Sequence, residues 1–190
     1  MPTYHYSAKR RFCCIGRSDQ LGRHCHHSNR QNARGKRDCS VSHAKGDVLL
    51  QKGADFVIAT KEDDVTAKLL EITNGKGVNL VFDPVGGKEA AKIINAMTQD
   101  GKYIIYGALS HDDIAVPVFP ILGKHLTVRE LFEITTVPEK LAQAKKFVFD
   151  GLASGQLKLE IDKVFAFDEM AEAHRYMESN AQIGKILVKV

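Results

Sequence analysis

The amino-acid sequence predicts an α/β fold built on a parallel sheet, and three observations carry that prediction. Two short apolar runs, Val78-Asn79-Leu80-Val81-Phe82 and Tyr103-Ile104-Ile105-Tyr106, read as strands. Each stops abruptly in glycine or proline, the first at Asp83-Pro84-Val85-Gly86-Gly87 and the second at Gly107. Between them, 88–99 reads as a helix with Ile93, Ile94 and Met97 as its apolar stripe. Strand, helix and strand with glycine at the strand ends is a βαβ unit, which joins parallel strands and leaves a ligand crevice at their carboxyl ends. The candidate chemistry therefore falls at 84–87 and 107–110.

Composition bounds the rest. A chain of 190 residues with 44% hydrophobic and 26% charged residues is ordinary for a globular protein with one core. No apolar run approaches the roughly 18–20 residues that span a bilayer, so a membrane protein is not predicted. The net charge of +4 is unevenly spread: residues 1–46 hold ten Lys/Arg against two acids, and 47–190 hold seventeen against twenty-one. All four cysteines and five of the eight histidines also fall in the first segment.

That segment has few apolar residues, no sustained period of two or 3.6, and dense like charge, so residues 1–43 are expected to be a disordered leader. Cys13, Cys14, Cys25 and Cys39 with His24, His26 and His27 lack the paired spacing of a tetrahedral zinc site, and no metal is expected. Arg10, Arg11, Arg17, Arg23, Arg30, Arg34, Lys36 and Arg37 would give a salt-sensitive phosphate affinity. Aromatics are not interleaved with them, so no specific nucleic-acid partner is predicted. Arginine richness also suits a transit peptide, but the amphipathic helix is missing.

The remaining elements follow in order. Asp47-Val48-Leu49-Leu50-Gln51-Lys52 ends a helix stopped by Gly53, and Phe56-Val57-Ile58-Ala59 is a short buried strand. Glu62, Asp63 and Asp64 suit a helix start; Val65, Leu69 and Ile72 share its face, and Asn74-Gly75 closes it. Asp100-Gly101 turns the chain into the second strand of the βαβ unit. After Pro117 and Pro120, 122–134 reads as strand then short helix, and 116–128 is the candidate sheet edge for a homodimer. Pro138 starts a long amphipathic helix with Leu141, Ala144, Val148 and Leu152 on one face. Asp168 is expected to cap a helix running to about Glu178, and 186–190 forms a last strand.

Taken together, Lys52-Gly53-Ala54-Asp55-Phe56-Val57-Ile58, Phe82-Asp83-Pro84-Val85-Gly86-Gly87, Gly101-Lys102-Tyr103, Gly107 and Gly184-Lys185-Ile186-Leu187-Val188 resemble the medium-chain dehydrogenase/reductase superfamily. The branch they resemble is the zinc-independent quinone oxidoreductase and enoyl reductase group, over about residues 44–190. The resemblance implies a partial Rossmann-type doubly wound parallel sheet over 44–156 and, over 157–190, the C-terminal tail of a GroES-like catalytic domain. It implies NADP(H) as cofactor, a quinone or enoyl/enone small-molecule substrate, a cytoplasmic location, and hydride transfer to an activated C=C bond or quinone. Pro84, Val85 and Gly86 would line the cofactor's ribose, Gly107, Ala108 and Leu109 would approach its nicotinamide end, and Lys185 would meet a phosphate. Each has a plainer alternative: a strand-to-helix turn for the first set, a Gly107 that merely turns the chain for the second, and a solvated strand lysine for the third.

The family's first strand with its glycine-rich turn, and the next strand, are not recognisable; Gly16 and Gly22 lack the spacing. Reading the codons of 24–30 one nucleotide out of frame permits Ile-Val-Ile-Thr-Arg-Thr, which resembles the strand before the helix ending at Lys52. Residues 1 to about 43 are therefore expected to come from an out-of-frame or misjoined reading. On that basis the chain reads as an oxidoreductase fragment inactive unaided, with a non-catalytic or partner-stabilised interaction protein as the alternative. No catalytic residue is assigned. Asp83 is expected to hold its turn or cap the next helix, His111 with Asp112 and Asp113 to form a solvated loop, and Tyr106 to pack in the core in preference to donating a hydrogen bond to substrate; the spacing of Tyr103 and Tyr106 keeps them from facing one pocket. His125 and His174 are read as isolated surface or core residues.

Overall fold

Six short strands, all parallel, make the main sheet of the computed structural model. It describes residues 12–15, 37–41, 46–51, 54–60, 62–110, 112–157, 159–179 and 181–190, the first two stretches as backbone alone. In chain order the elements are β1 (Phe12–Ile15), β2 (Arg37–Val41), α1 (Gly46–Gln51), β3 (Phe56–Ala59), α2 (Val65–Ile72), β4 (Val78–Asp83), α3 (Glu89–Asn95), β5 (Met97–Ile105), α4 (Val118–Lys124), β6 (Thr127–Glu130), α5 (Glu133–Thr136) and α6 (Pro138–Ala153). A second unit holds β7 (Ile161–Ala166), a 3-10 turn (Phe167–Glu169), α7 (Met170–Glu178) and β8 (Lys185–Lys189). The main sheet runs β3-β2-β1-β4-β5-β6, and β7 pairs with β8 in parallel. The chain thus winds from the middle to one edge, returns, and winds to the other. This is the doubly wound order with its switch point between β1 and β4.

The predicted Rossmann-type parallel sheet is therefore present, and two strands expected to be missing are in it. β1 pairs with both β2 and β4, and β2 pairs with β3, so the sheet crosses the boundary expected at residue 43. The physical reason lies in position: central parallel strands need no alternation, and Phe12-Cys13-Cys14-Ile15 is a continuous apolar run of the kind they use. The strand preceding α1 is Arg37–Val41 as it stands in frame. The cysteine–histidine cluster at Cys25, His24, His26 and His27, the glycines Gly16 and Gly22, the codon-shift stretch 24–30, Lys52, Gly53 and His111 lie outside the described residues. So do Arg10, Arg11, Arg17, Arg23, Arg30, Arg34 and Lys36.

Local chemistry sets the helices on the sheet. The Asp64 side chain caps α2 by accepting from the Ala67 amide (3.1 Å), and Asp63 accepts from the Ala59 amide at the end of β3 (2.9 Å). Val65 and Leu69 of α2 and Ile93 and Ile94 of α3 are fully buried among Val78, Val81 and Tyr103. Each such aliphatic side chain contributes about 1.5–3 kcal/mol. The helix predicted over 88–99 ends at Asn95, and Met97 opens β5 opposite Val78. Lys124 explains the early stop: its Nζ donates to the carbonyls of Asn95 and Met97 (2.8 Å each), satisfying groups that further helix would have used.

Three further expectations are corrected. The stretch 116–128 holds α4 and only the start of the edge strand β6, because Pro117 and Pro120 suit the first turn of a helix. Asp168 does not cap α7; it lies in the 3-10 turn, where Glu169 instead accepts from the Ala166 amide (2.8 Å). On α6, Leu141, Ala144 and Leu152 are half-buried, but Val148, Phe147 and Phe149 are exposed. The tail unit has its own small core, with Phe165 and Ala173 buried and the Phe165 and Tyr176 rings 5.9 Å apart.

Candidate functional site

The carboxyl ends of β4 and β5 stand side by side, in register from Leu80–Lys102 to Asp83–Ile105. The pairing continues past the strands: Tyr106 donates its amide to the Asp83 carbonyl (2.9 Å), Leu109 to Pro84 (3.1 Å) and Ser110 to Val85 (2.8 Å). Loops 84–87 and 107–110 are thereby laced into one body. Gly107 makes this contact possible, since a Cβ there would sit 2.7 Å from the Pro84 carbonyl oxygen. Gly86 and Gly87 turn the chain with φ near +70° and +73°, a region that side chains with a Cβ rarely adopt. A Cβ on Gly87 would meet Ser110 Oγ at 2.6 Å.

Asp83 organises the turn from within the protein. Its side chain is 1% exposed; Oδ1 accepts from the amides of Val85 (2.7 Å) and Gly86 (3.0 Å), and Oδ2 accepts from the Tyr103 hydroxyl. It holds the turn and does not cap α3, which begins after Lys88 with no side-chain cap. The Tyr103 bond was not anticipated from the sequence. Its signal was parity: Tyr103 and Ile105 share a face of β5, Ile105 is the register partner of Asp83, and so Tyr103 stands beneath that carboxyl group.

Of the predicted site residues, Pro84, Val85 and Gly86 are brought against Gly107, Ala108 and Leu109. Pro84 and Gly86 are buried, Ala108 is exposed. Lys185 stands on β8 of the other sheet, exposed, with its amide donated to Glu160 (2.7 Å). Tyr106 is half-buried beside the crevice. Asp112 is exposed and 3.7 Å from Lys88, and His174 is an exposed residue of α7. His125 ends α4 with φ +50°, 3.2 Å from Gln99. On the tail, Tyr176 donates to Asp162 (2.7 Å), and that bond together with burial raises its pKa.

The carboxyl ends of the strands beside a switch point are where doubly wound sheets hold their ligands. Residues 52–188 match the profile of the family described as zinc-binding dehydrogenase. This chain belongs to that family. Its place is in the quinone oxidoreductase-like part of the medium-chain dehydrogenase/reductase superfamily. The chain is 27% identical over 148 residues to 2-haloacrylate reductase of Burkholderia sp, covering 76% of this chain and 44% of the relative. It is 28% identical over 149 residues to quinone oxidoreductase 1 of Escherichia coli (strain K12), covering 76% and 46%. The chain thus spans less than half the length of these two relatives. The crystal structure of Escherichia coli quinone oxidoreductase complexed with NADPH superposes with a TM-score of 0.82 at 24% identity, over 98% of this chain and 59% of that one. The structure of CurK enoyl reductase does so with 0.80 at 19% identity, over 97% and 55%. At these identities the two structures speak for the fold alone.

The family's name invokes zinc, but among the described residues no group of three or more His, Cys, Asp or Glu side chains is placed to hold a metal ion. The described residues offer zinc no ligand set. Loops 84–87 and 107–110 are held together by backbone hydrogen bonds and by glycines packed close against the neighbouring loop. Residues 16–36 lie outside the described residues. Among the described residues no helix is long and apolar enough to cross a membrane.

Proposed function

We propose that this chain is the nucleotide-holding portion of an NADP(H)-dependent oxidoreductase that reduces a quinone or an activated C=C bond in a small molecule. One observation carries the reading: two glycine-lined strand ends are hydrogen-bonded into a single ledge beside the switch point of a doubly wound sheet. NADPH, when bound, supplies the reducing equivalent. The chain's own contribution is positional. Pro84 and Gly86 are buried and fix the turn that presents Val85 to the ribose, and Gly107 and Ala108 offer a surface without long side chains, against which a flat ring can lie. Lys185 reaches a phosphate only if β8 is carried to the crevice, so it is the weakest member of the set. The reading treats 157–190 as the tail of the substrate-facing domain and places the protein in the cytoplasm. It includes a homodimer formed through the open edge strand β6, with Val118 (62% exposed) and Phe119 (87% exposed) of α4 beside it.

Nucleotide binding without turnover is the behaviour this reading expects of the chain alone. A second reading, a non-catalytic protein stabilised by a partner, is favoured by the exposure of Phe147 and Phe149 on α6. Titrating the full chain with NADPH and following the nicotinamide fluorescence separates the two. Saturation tighter than about a millimolar supports the first; a flat titration accompanied by aggregation supports the second. Sedimentation of the parent tests the dimer; an assembly state of Val118→Lys unchanged from a dimeric parent removes α4 from the interface, and a monomeric parent removes the dimer from the reading.

A further inference from the structure

We infer that Tyr103, acting through Asp83, is the positioning residue of the nicotinamide side of the crevice; the inference rests on the nucleotide-holding reading above. Asp83 lies at the end of β4, with one carboxyl oxygen given to the Val85 and Gly86 amides (2.7 and 3.0 Å) and the other to the Tyr103 hydroxyl. Tyr103 is fully buried and Asp83 nearly so. A carboxyl group held on both oxygens in dry surroundings has one orientation, and that orientation aims the first two amides of the loop. The Asp83, Pro84 and Val85 carbonyls in turn receive the amides of Tyr106, Leu109 and Ser110. Any rotation of the Asp83 side chain is therefore felt in both loops. The phenol sits below the ledge and touches none of its exposed surface, so its part is to orient and not to contact ligand.

The geometry also predicts which half of a dinucleotide is affected. A doubly wound sheet consists of two mononucleotide-binding halves meeting at the switch point. Here β1, β2 and β3 form one half, and β4, β5 and β6 form the other. Tyr103 and Asp83 belong to the β4–β5 half, so their loss loosens the ledge there and leaves the β1–β2 side as it was. A role confined to overall stability would weaken both sides together.

The test uses the full chain and its Tyr103→Phe and Asp83→Asn variants, with two probes: NADPH, and adenosine 2′,5′-bisphosphate, which lacks the nicotinamide half. Tyr103→Phe keeps the ring in place and removes only the donor. It is expected to weaken NADPH about tenfold, the scale of one hydrogen bond, with the bisphosphate unchanged. Asp83→Asn can still accept from both amides, but its NH2 cannot accept from the phenol, so it should weaken NADPH as Tyr103→Phe does, again with the bisphosphate unchanged. Amide hydrogen exchange, measured without ligand, should speed up in Tyr103→Phe at Val85, Gly86, Leu109 and Ser110 while Val81 and Ile93 keep their protection. Equal loss of both probes with uniform acceleration of exchange would overturn the inference, as would NADPH binding and loop exchange that match the parent. If the parent binds neither probe, the nucleotide reading fails. The exchange pattern then decides by itself whether Tyr103 positions the ledge.

Discussion

Replacing Gly107 with alanine places a methyl group against the neighbouring loop and tests the ledge directly. The added Cβ would lie 2.7 Å from the Pro84 carbonyl oxygen, 3.1 Å from its Cα and 3.3 Å from its carbonyl carbon, inside the 3.4 Å where ordinary contact begins. Nothing in that set can rotate away, because every atom belongs to backbone. The φ of Gly107 is not in the left-handed region, so the substitution adds a steric demand without a conformational one. Relief requires loops 84–87 and 107–110 to separate, which strains the Leu109 to Pro84 hydrogen bond (3.1 Å). Overpacking costs about 1–3 kcal/mol and a lost hydrogen bond about 0.5–1.5, so a destabilisation of roughly 2–4 kcal/mol is expected. For a chain of this length that corresponds to a fall in melting temperature of roughly 5–15 °C. Thermal denaturation followed by circular dichroism measures it, with urea denaturation to give the free energy. NADPH titration should show weakened binding in protein that is still folded. A variant within about 0.5 kcal/mol of the parent, the range of an innocuous surface change, would mean that the two loops do not touch as described.

Three other outcomes are expected. Gly123→Ala in α4 meets nothing within 4 Å and needs no left-handed backbone, so it should stabilise the protein by about 0.4–1 kcal/mol; a measured loss in urea would show that α4 is not helical there. Register pairs β1 with β2 from Phe12–Arg37 to Ile15–Ser40 in the middle of the sheet, where a strand's backbone groups are hydrogen-bonded to the neighbours on both sides. Amide hydrogen exchange at Cys14 and Cys39 should then be slow, and exchange at the rate of an open chain would refute the β1–β2 register. Lys140 and then Arg129, by hydrogen bonds to Glu133, hold its carboxyl below the ordinary glutamate range. The depressed value means that these bonds support the fold above the ordinary range and are lost as pH falls through the folded value. Carboxyl NMR titration should show Glu133 moving back up in Lys140→Met, and an unmoved titration would remove Lys140 as the cause.

The parts of the fold that read clearly from the residues are those governed by near neighbours. β3, β4 and the end of β5 are short apolar runs closed by turn residues, α2 carries its cap at Asp64, and α6 starts at Pro138. β1 and β2 were lost to the opposite logic. A sheet's central strand is recognised by what covers it, and Arg37-Asp38-Cys39-Ser40-Val41 has neither period nor apolar bulk to announce it. The end of α3 was misplaced because Met97 continues the helical spacing of Ile93 and Ile94. Pairing with Val78 and the reach of Lys124 from α4 override that spacing.

The same division runs through the candidate site. Glycine and proline after two apolar runs located the crevice, because a backbone that must turn sharply or leave room for another chain selects those residues wherever it occurs. Which atoms meet across the crevice was another matter. Gly107 against Pro84, and Tyr103 beneath Asp83, are contacts between residues about twenty positions apart, created by the β4–β5 register. Register is a property of two strands at once: it is chosen when α3 buries its apolar face and closes the intervening loop, and no local pattern in either strand contains it.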